Sequence, residues 1–162
     1  MGWAASKGFR RARIGGIAVL LAASVTSAAG QDTPAAVRKA AGYALTQGAY
    51  AEAVPLLQQL LDWYGDNDQQ AIVASMETVR YNLGMCFFVL GRFPEAREAF
   101  EDYLSVHRRG AHAMEVALFL GDAFRFDAMY AEAVRAYRNA LETYAYTPDL
   151  AADLHAGIAR CF

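Results

Sequence analysis

Three seven-residue segments of this 162-residue chain are versions of one another: Gly48–Val54, Gly91–Arg97 and Ala128–Val134. Each begins on a small residue, carries an aromatic two positions later (Tyr50, Phe93, Tyr130), and continues with Glu-Ala (Glu52-Ala53, Glu95-Ala96, Glu132-Ala133). They start 43 and 37 residues apart, counted from Gly48 to Gly91 and from Gly91 to Ala128. Self-similarity at such a period means stacked copies of one supersecondary unit, none of which can bury its apolar face alone.

The stretch before each motif reads as a helix. Val79–Leu90 is apolar on most faces and free of proline, and Glu115–Phe126 matches it, with Gly84 and Gly121 in the same place 37 residues apart. A glycine inside a helix costs roughly 1 kcal/mol against alanine, so its presence marks close packing. The stretch after each motif is helical too. Ala96, Phe100, Tyr103 and Leu104 fall at i, i+4, i+7 and i+8, and Ala133, Tyr137, Ala140 and Leu141 repeat the stripe. Pro94 stands near a helix start, where a missing N–H costs nothing. Each unit is therefore helix, tight turn, helix. The expected helices are 34–47, 51–64, 69–90, 94–107, 112–126, 130–144 and 148–162, and Gly84 is expected to meet Ala96 where the helices of the second unit cross.

Tyr81-Asn82-Leu83-Gly84, Gly91, Phe93, Glu95-Ala96, Phe100 and Leu104 closely resemble the tetratricopeptide repeat (TPR) family. Its pattern wants a small residue in the first helix (Ala41, Gly84, Gly121), another early in the second (Ala53, Ala96, Ala133) and a bulky residue four later (Leu57, Phe100, Tyr137). The resemblance spans residues 35–162 and implies an all-α fold: a TPR-type α-solenoid of antiparallel helix pairs, about three and a half repeats. The repeats are placed at 35–68, 69–111 and 112–148, with a partial unit at 149–162 in which Gly157 falls 36 residues after Gly121. The partial unit leads us to expect a longer array, cut after Phe162. Two departures stand out. The periods exceed the family's roughly 34 residues. Aromatic or imidazole rings recur near the ends of the second helices (Tyr64, His107, Tyr144). Together with Tyr103 these look similar to the longer repeats of bacterial envelope proteins such as the Tol-Pal-associated coordinator and the barrel-assembly scaffold.

Residues 1–30 read as a secretory signal peptide: a basic stretch from Lys7 to Arg13, an apolar run from Ile14 to Val25, then small residues up to Gly30. The run is shorter than the roughly 20 residues a spanning helix needs. Residues 31–162 would then be the mature repeat domain, periplasmic or secreted, with no membrane-spanning segment after signal removal. That part carries eleven basic and seventeen acidic side chains, a net charge of −6. Such a body lacks the electrostatic footprint for nucleic acid.

Catalytic constellations are not found. His107, His112 and His155 are scattered without a partner at metal-ligand spacing. There is no nucleophile elbow and no phosphate-cradling loop. Cys86 and Cys161 read as small buried hydrophobes, and Glu52, Glu95 and Glu132 as helix-start residues favoured by the dipole. Arg108-Arg109 reads as a helix-end cation pair, and Asp66-Asn67-Asp68 lacks the glycine and distal glutamate of a calcium loop. No enzyme activity, cofactor or metal is expected.

The family resemblance implies a concave groove lined by the first helices. Carried over by position, its residues are Arg38 and Leu45; Thr78, Tyr81, Met85, Phe88 and Val89; and Glu115, Leu118, Asp122, Arg125 and Phe126. The partner-binding candidates are Tyr81, Met85, Phe88, Leu118, Asp122, Arg125 and Phe126. Met85 and Asp122 stand where some family members carry the asparagines of a carboxylate clamp, so that clamp is not expected. The lining suits a protein or peptide with apolar anchors, unless further C-terminal units cover it. The expectation is an exported, TPR-built scaffold binding proteins or peptides in envelope assembly or maintenance. The alternative is the N-terminal recognition domain of a larger exported protein or enzyme.

Overall fold

The computed structural model describes residues 33–66, 69–144 and 148–162. The expected signal peptide lies outside the described residues, as do Asn67 and Asp68. Among the described residues there are seven helices and no strand: α1 Pro34–Thr46, α2 Tyr50–Tyr64, α3 Gln70–Val89, α4 Phe93–Val106, α5 Ala113–Phe126, α6 Tyr130–Thr143 and α7 Pro148–Ala159. Each expected helix is present, and its ends fall within three residues of expectation. α1 starts where Thr33 Oγ1 accepts from the Ala36 N–H at 3.3 Å, ahead of Pro34, whose absent N–H needs no partner. α2 runs through Pro55, which keeps an exposed face and removes one ladder bond; the sequence reading passed over it.

The small residue opening each repeated motif has a backbone reason. Gly48, Gly91 and Ala128 adopt φ of +70°, +72° and +58°, the left-handed conformation that ends the first helix of each pair. The bonds around them are alike in all three units. Ala49, Arg92 and Met129 donate their N–H to the carbonyls of Ala44, Phe87 and Phe124 at 2.9 Å. The chain reverses over three residues, so the paired helices run antiparallel.

Successive helices pack against one another from α1 to α7, and α5 also touches α7. The core is a column of small residues facing rings. A Cβ on Gly84 would overlap the Phe100 ring, and one on Gly121 would overlap Tyr137. Gly157 of α7 lies against the same Tyr137, where a Cβ would come within 2.7 Å. Phe100 and Tyr137 are wholly buried, as are Ala96 and Ala133. Gly84 was expected to meet Ala96; the nearest atoms belong to Phe100, one helical turn further along α4. The ring needs the glycine because helix axes this close leave no room for both a ring and a methyl.

A charged side chain holds the second unit to the first. Arg80 is 6% exposed. Its Nε donates to Asp102 Oδ2 and its Nη2 to the Gly65 carbonyl, both at 2.8 Å. One guanidinium thereby ties the end of α2 and the middle of α4 to α3. Next to it the Tyr103 hydroxyl donates to Glu77 Oε1 at 2.6 Å and accepts the His112 N–H at 3.2 Å. Burial pushes the Tyr103 hydroxyl well above its ordinary value, and the Glu77 carboxylate adds to this. Burial also acts to raise Glu77, but hydrogen bonds from Tyr103 and from the N–H groups of Ala111 and His112 outweigh it and hold the carboxyl below its usual range.

Candidate functional site

The groove positions sit on α1, α3 and α5, and the structure sorts them into three environments. Between α1 and α3 lies a cavity of about 360 Å³ lined by Arg38, Gly42, Leu45, Thr78 and Asn82, among others. Three of these, Arg38, Leu45 and Thr78, are positions carried over from the family pattern. Here the groove is open: a Cβ on Gly42 would meet nothing within 4 Å.

Between the middle of α3 and the start of α5 the groove is closed by a polar stack. The Tyr81 ring lies flat on His112, centroids 4.1 Å apart and planes 14° apart. Its hydroxyl donates to Glu115 Oε1 at 3.0 Å, and His112 Nδ1 is 3.5 Å from Glu115 Oε2. Burial and the Glu115 carboxylate push the Tyr81 hydroxyl up to about 12. Tyr81 remains half-buried, with its polar tip already satisfied inside the chain.

At the opposite end of α3 and α5 the groove is aromatic. Phe88 is half-buried at the centre of four rings, with centroids 5.8 Å from Phe93, 6.4 Å from Phe100, 5.2 Å from Phe119 and 5.8 Å from Phe126. Phe126 stacks on Phe93 at 5.4 Å and 15°, and the Arg125 guanidinium lies over its ring, 4.2 Å from the centroid. Phe126 is nonetheless 53% exposed, and Val89 beside Phe88 in sequence is equally so. Phe93, the aromatic of the turn motif, thus belongs to this site as well. The sequence reading took it only as a repeat marker, although its place one turn after Phe88 was a usable signal.

Asp122, Arg125 and Leu118 are tied to the third unit. Asp122 Oδ1 accepts from Arg125 Nη2 at 2.8 Å and from the Tyr137 hydroxyl at 2.8 Å. Leu118 is half-buried against the cluster formed by Ala117, Ala133, Tyr137, Ala140 and Leu154. Met85 is half-buried against the main core. Of the seven candidates, Phe88, Phe126 and Arg125 are brought together. Tyr81 sits apart with His112 and Glu115, and Asp122 serves the Tyr137 hydroxyl.

Among the described residues, no group of three or more His, Cys, Asp or Glu is placed to hold a metal ion, and no helix is long and apolar enough to cross a membrane. Cys86 is buried, and burial pushes its thiol up to about 11, so it is an inert thiol.

Helix pairs repeated in register, glycine-for-ring crossings and identical left-handed turns define an all-α solenoid of antiparallel helix pairs. Residues 75–145 match the family described as Tetratricopeptide repeat. Among solved structures it is similar to the "Arabidopsis OM64 TPR domain", with a TM-score of 0.59 and 16% identity over 79% of this chain and 93% of that one. At that identity the likeness is one of fold. No curated protein matches the sequence. Repeats of this kind are protein-interaction scaffolds and are generally non-catalytic.

Proposed function

We propose that this chain is an exported scaffold that binds a protein or peptide through apolar anchors laid across the α3–α5 face, in envelope assembly or maintenance. The observation that carries the binding face is the aromatic end of the groove. Phe126 and Val89, each 53% exposed, flank the half-buried Phe88. A patch of large apolar side chains left in water on a folded protein favours a partner that covers it. The open cavity between α1 and α3 shares α3 with that face and suits a side chain of the same ligand. The export part of the reading is supported by the basic, apolar, then small order of residues 1–30.

Two experiments test it. A Tyr81→Ala/Phe126→Ala variant that keeps its helical circular dichroism should lose a partner that the native chain captures from an envelope extract; capture of the same partner by that variant overturns the binding face. Residues 1–31 fused to a reporter active only outside the cytoplasm should give signal, and charged residues at Val19, Leu20 and Leu21 should abolish it. A reporter silent in both forms removes the envelope reading and leaves the binding face standing.

A further inference from the structure

The described residues hold eleven basic side chains. Five arginines, Arg80, Arg92, Arg97, Arg125 and Arg135, are paired with carboxylates. Arg108 and Arg109 are adjacent and exposed, and neither is paired with a carboxylate among the described residues. Both line one cleft of about 600 Å³ between the α4–α5 connection and the end of α6, with Gly110, Ala111, Met114 and Tyr144. They follow the end of α4 directly, as expected: the helix ends at Val106 with His107 as its C-cap.

The remaining polar groups of the cleft also favour an anion. Among the described residues the Tyr144 hydroxyl has no hydrogen-bond partner; burial raises its pKa and the charge of Arg108 acts the other way. The Thr143 hydroxyl spends its proton on Asn139 Oδ1 at 2.7 Å. Glu77, which lies against Gly110, already accepts from the Tyr103 hydroxyl at 2.6 Å. Two free guanidiniums and a free hydroxyl therefore stand around a space that no carboxylate of the described chain fills. Met114, half-buried, and Ala113 give it an apolar floor.

We propose that this cleft binds an acidic peptide segment of a protein partner, with its carboxylates on Arg108 and Arg109 and an apolar side chain on Met114. Guanidinium pairs carboxylates through two parallel N–H donors, which gives direction as well as charge. A short peptide is favoured over a polyanion by the number of cations available. Two cations on an acidic body satisfy a few carboxylates, not a continuous phosphate lattice. The site shares no residue with the groove candidates, so it goes beyond the reading above and can fail or hold independently.

The test uses the full chain and fluorescence anisotropy with a fluorescein-labelled octapeptide, Glu-Glu-Leu-Glu-Glu-Leu-Glu-Glu, beside its all-Gln counterpart. Phosphatidylglycerol vesicles and a single-stranded oligonucleotide serve as competing anions. The native chain should bind the acidic peptide and not the Gln peptide. Arg108→Gln/Arg109→Gln should raise the dissociation constant at least tenfold. Arg138→Gln/Arg160→Gln removes the same charge elsewhere and should change it less than twofold. All three proteins should share one helical circular dichroism spectrum, which both substituted pairs permit because their side chains are exposed and unpaired. Absence of binding by the native chain, equal losses in the two variants, or tighter binding of vesicles or oligonucleotide than of peptide would each overturn the proposal. Unchanged peptide binding by Tyr81→Ala/Phe126→Ala would show that the cleft acts without the groove.

Discussion

In the second unit the ring that fills the glycine gap is Phe100; 37 residues on, in the third unit, it is Tyr137. The groove positions shift with it. Where the second unit has Met85 and Phe88, the third has Asp122 and Arg125. The Tyr137 hydroxyl is buried with its ring and must find an acceptor, and Asp122 Oδ1 supplies it at 2.8 Å while Arg125 neutralises the carboxylate. Phe100 has no hydroxyl, so its unit can present Met85 and Phe88 instead. One extra oxygen in the core thus decides whether the groove above it is an ion pair or an apolar surface. Family-pattern reasoning assigns Asp122 to the ligand; the structure shows that a buried tyrosine uses it.

This comparison can be broken at several points. The largest effect should come from the shared element. Gly84→Ala and Gly121→Ala each place a methyl into a ring, and each should lower the unfolding free energy by about 1–3 kcal/mol in urea titrations. If one is neutral while the other is not, the two crossings are not equivalent.

Exchanging the rings should cost somewhat less. Tyr137→Phe should cost about 1 kcal/mol by leaving Asp122 with Arg125 alone. Phe100→Tyr should cost about 1–3 kcal/mol, because Met85 cannot accept its hydroxyl. Phe100→Tyr/Met85→Asp should be less damaging than the sum of its parts. Strict additivity in this double-mutant cycle would show that the hydroxyl does not dictate the groove residue.

Protonation separates the units at their outer ends. The position 37 residues before Tyr144 is His107, 7% exposed, with Nε2 unpartnered and its ring 5.3 Å from Tyr103. Burial and then the Arg80 charge lower its pKa. The unfolded chain therefore binds the proton more readily. Stability from the neutral imidazole is present above the unfolded pKa of about 6.5 and is lost as the pH falls below it. Urea midpoints at pH 7.5 and 5.5 should differ more for the native chain than for His107→Phe; equal differences would mean that His107 is not the titrating group.

The smallest effect concerns the turns. Gly91→Ala puts a Cβ on a residue at φ +72° and should cost about 1 kcal/mol. Ala128→Gly relieves the same conformation and should be neutral or stabilising by less than about 1 kcal/mol. A clear loss at Ala128→Gly would mean that its methyl makes a contact the turn depends on.

The fold was legible because its signals are local and repeated. Small-x-aromatic-x-Glu-Ala marks a turn and a helix start in three places, and Gly84, Gly121 and Gly157 recur in phase, so the helices and their pairing follow from the register alone. The aromatic end of the groove was legible for the same reason, since Phe88 and Phe126 lie on stretches whose faces the period defines. Other features had no local signal. Arg80 sits in an apolar helix, and nothing near it in sequence announces that Gly65 and Asp102 will receive its guanidinium. The His112 ring under Tyr81 and the freedom of Arg108 and Arg109 are likewise invisible in the chain's pattern. By itself the sequence determined the units, their turns and which residues pack as small against large, because these depend on neighbours within a few positions. Which charges are spent inside the chain and which are left for a partner was decided only by tertiary structure. The stacking of one unit on the next brings together polar groups 15 to 34 residues apart, and no periodic pattern encodes the meeting.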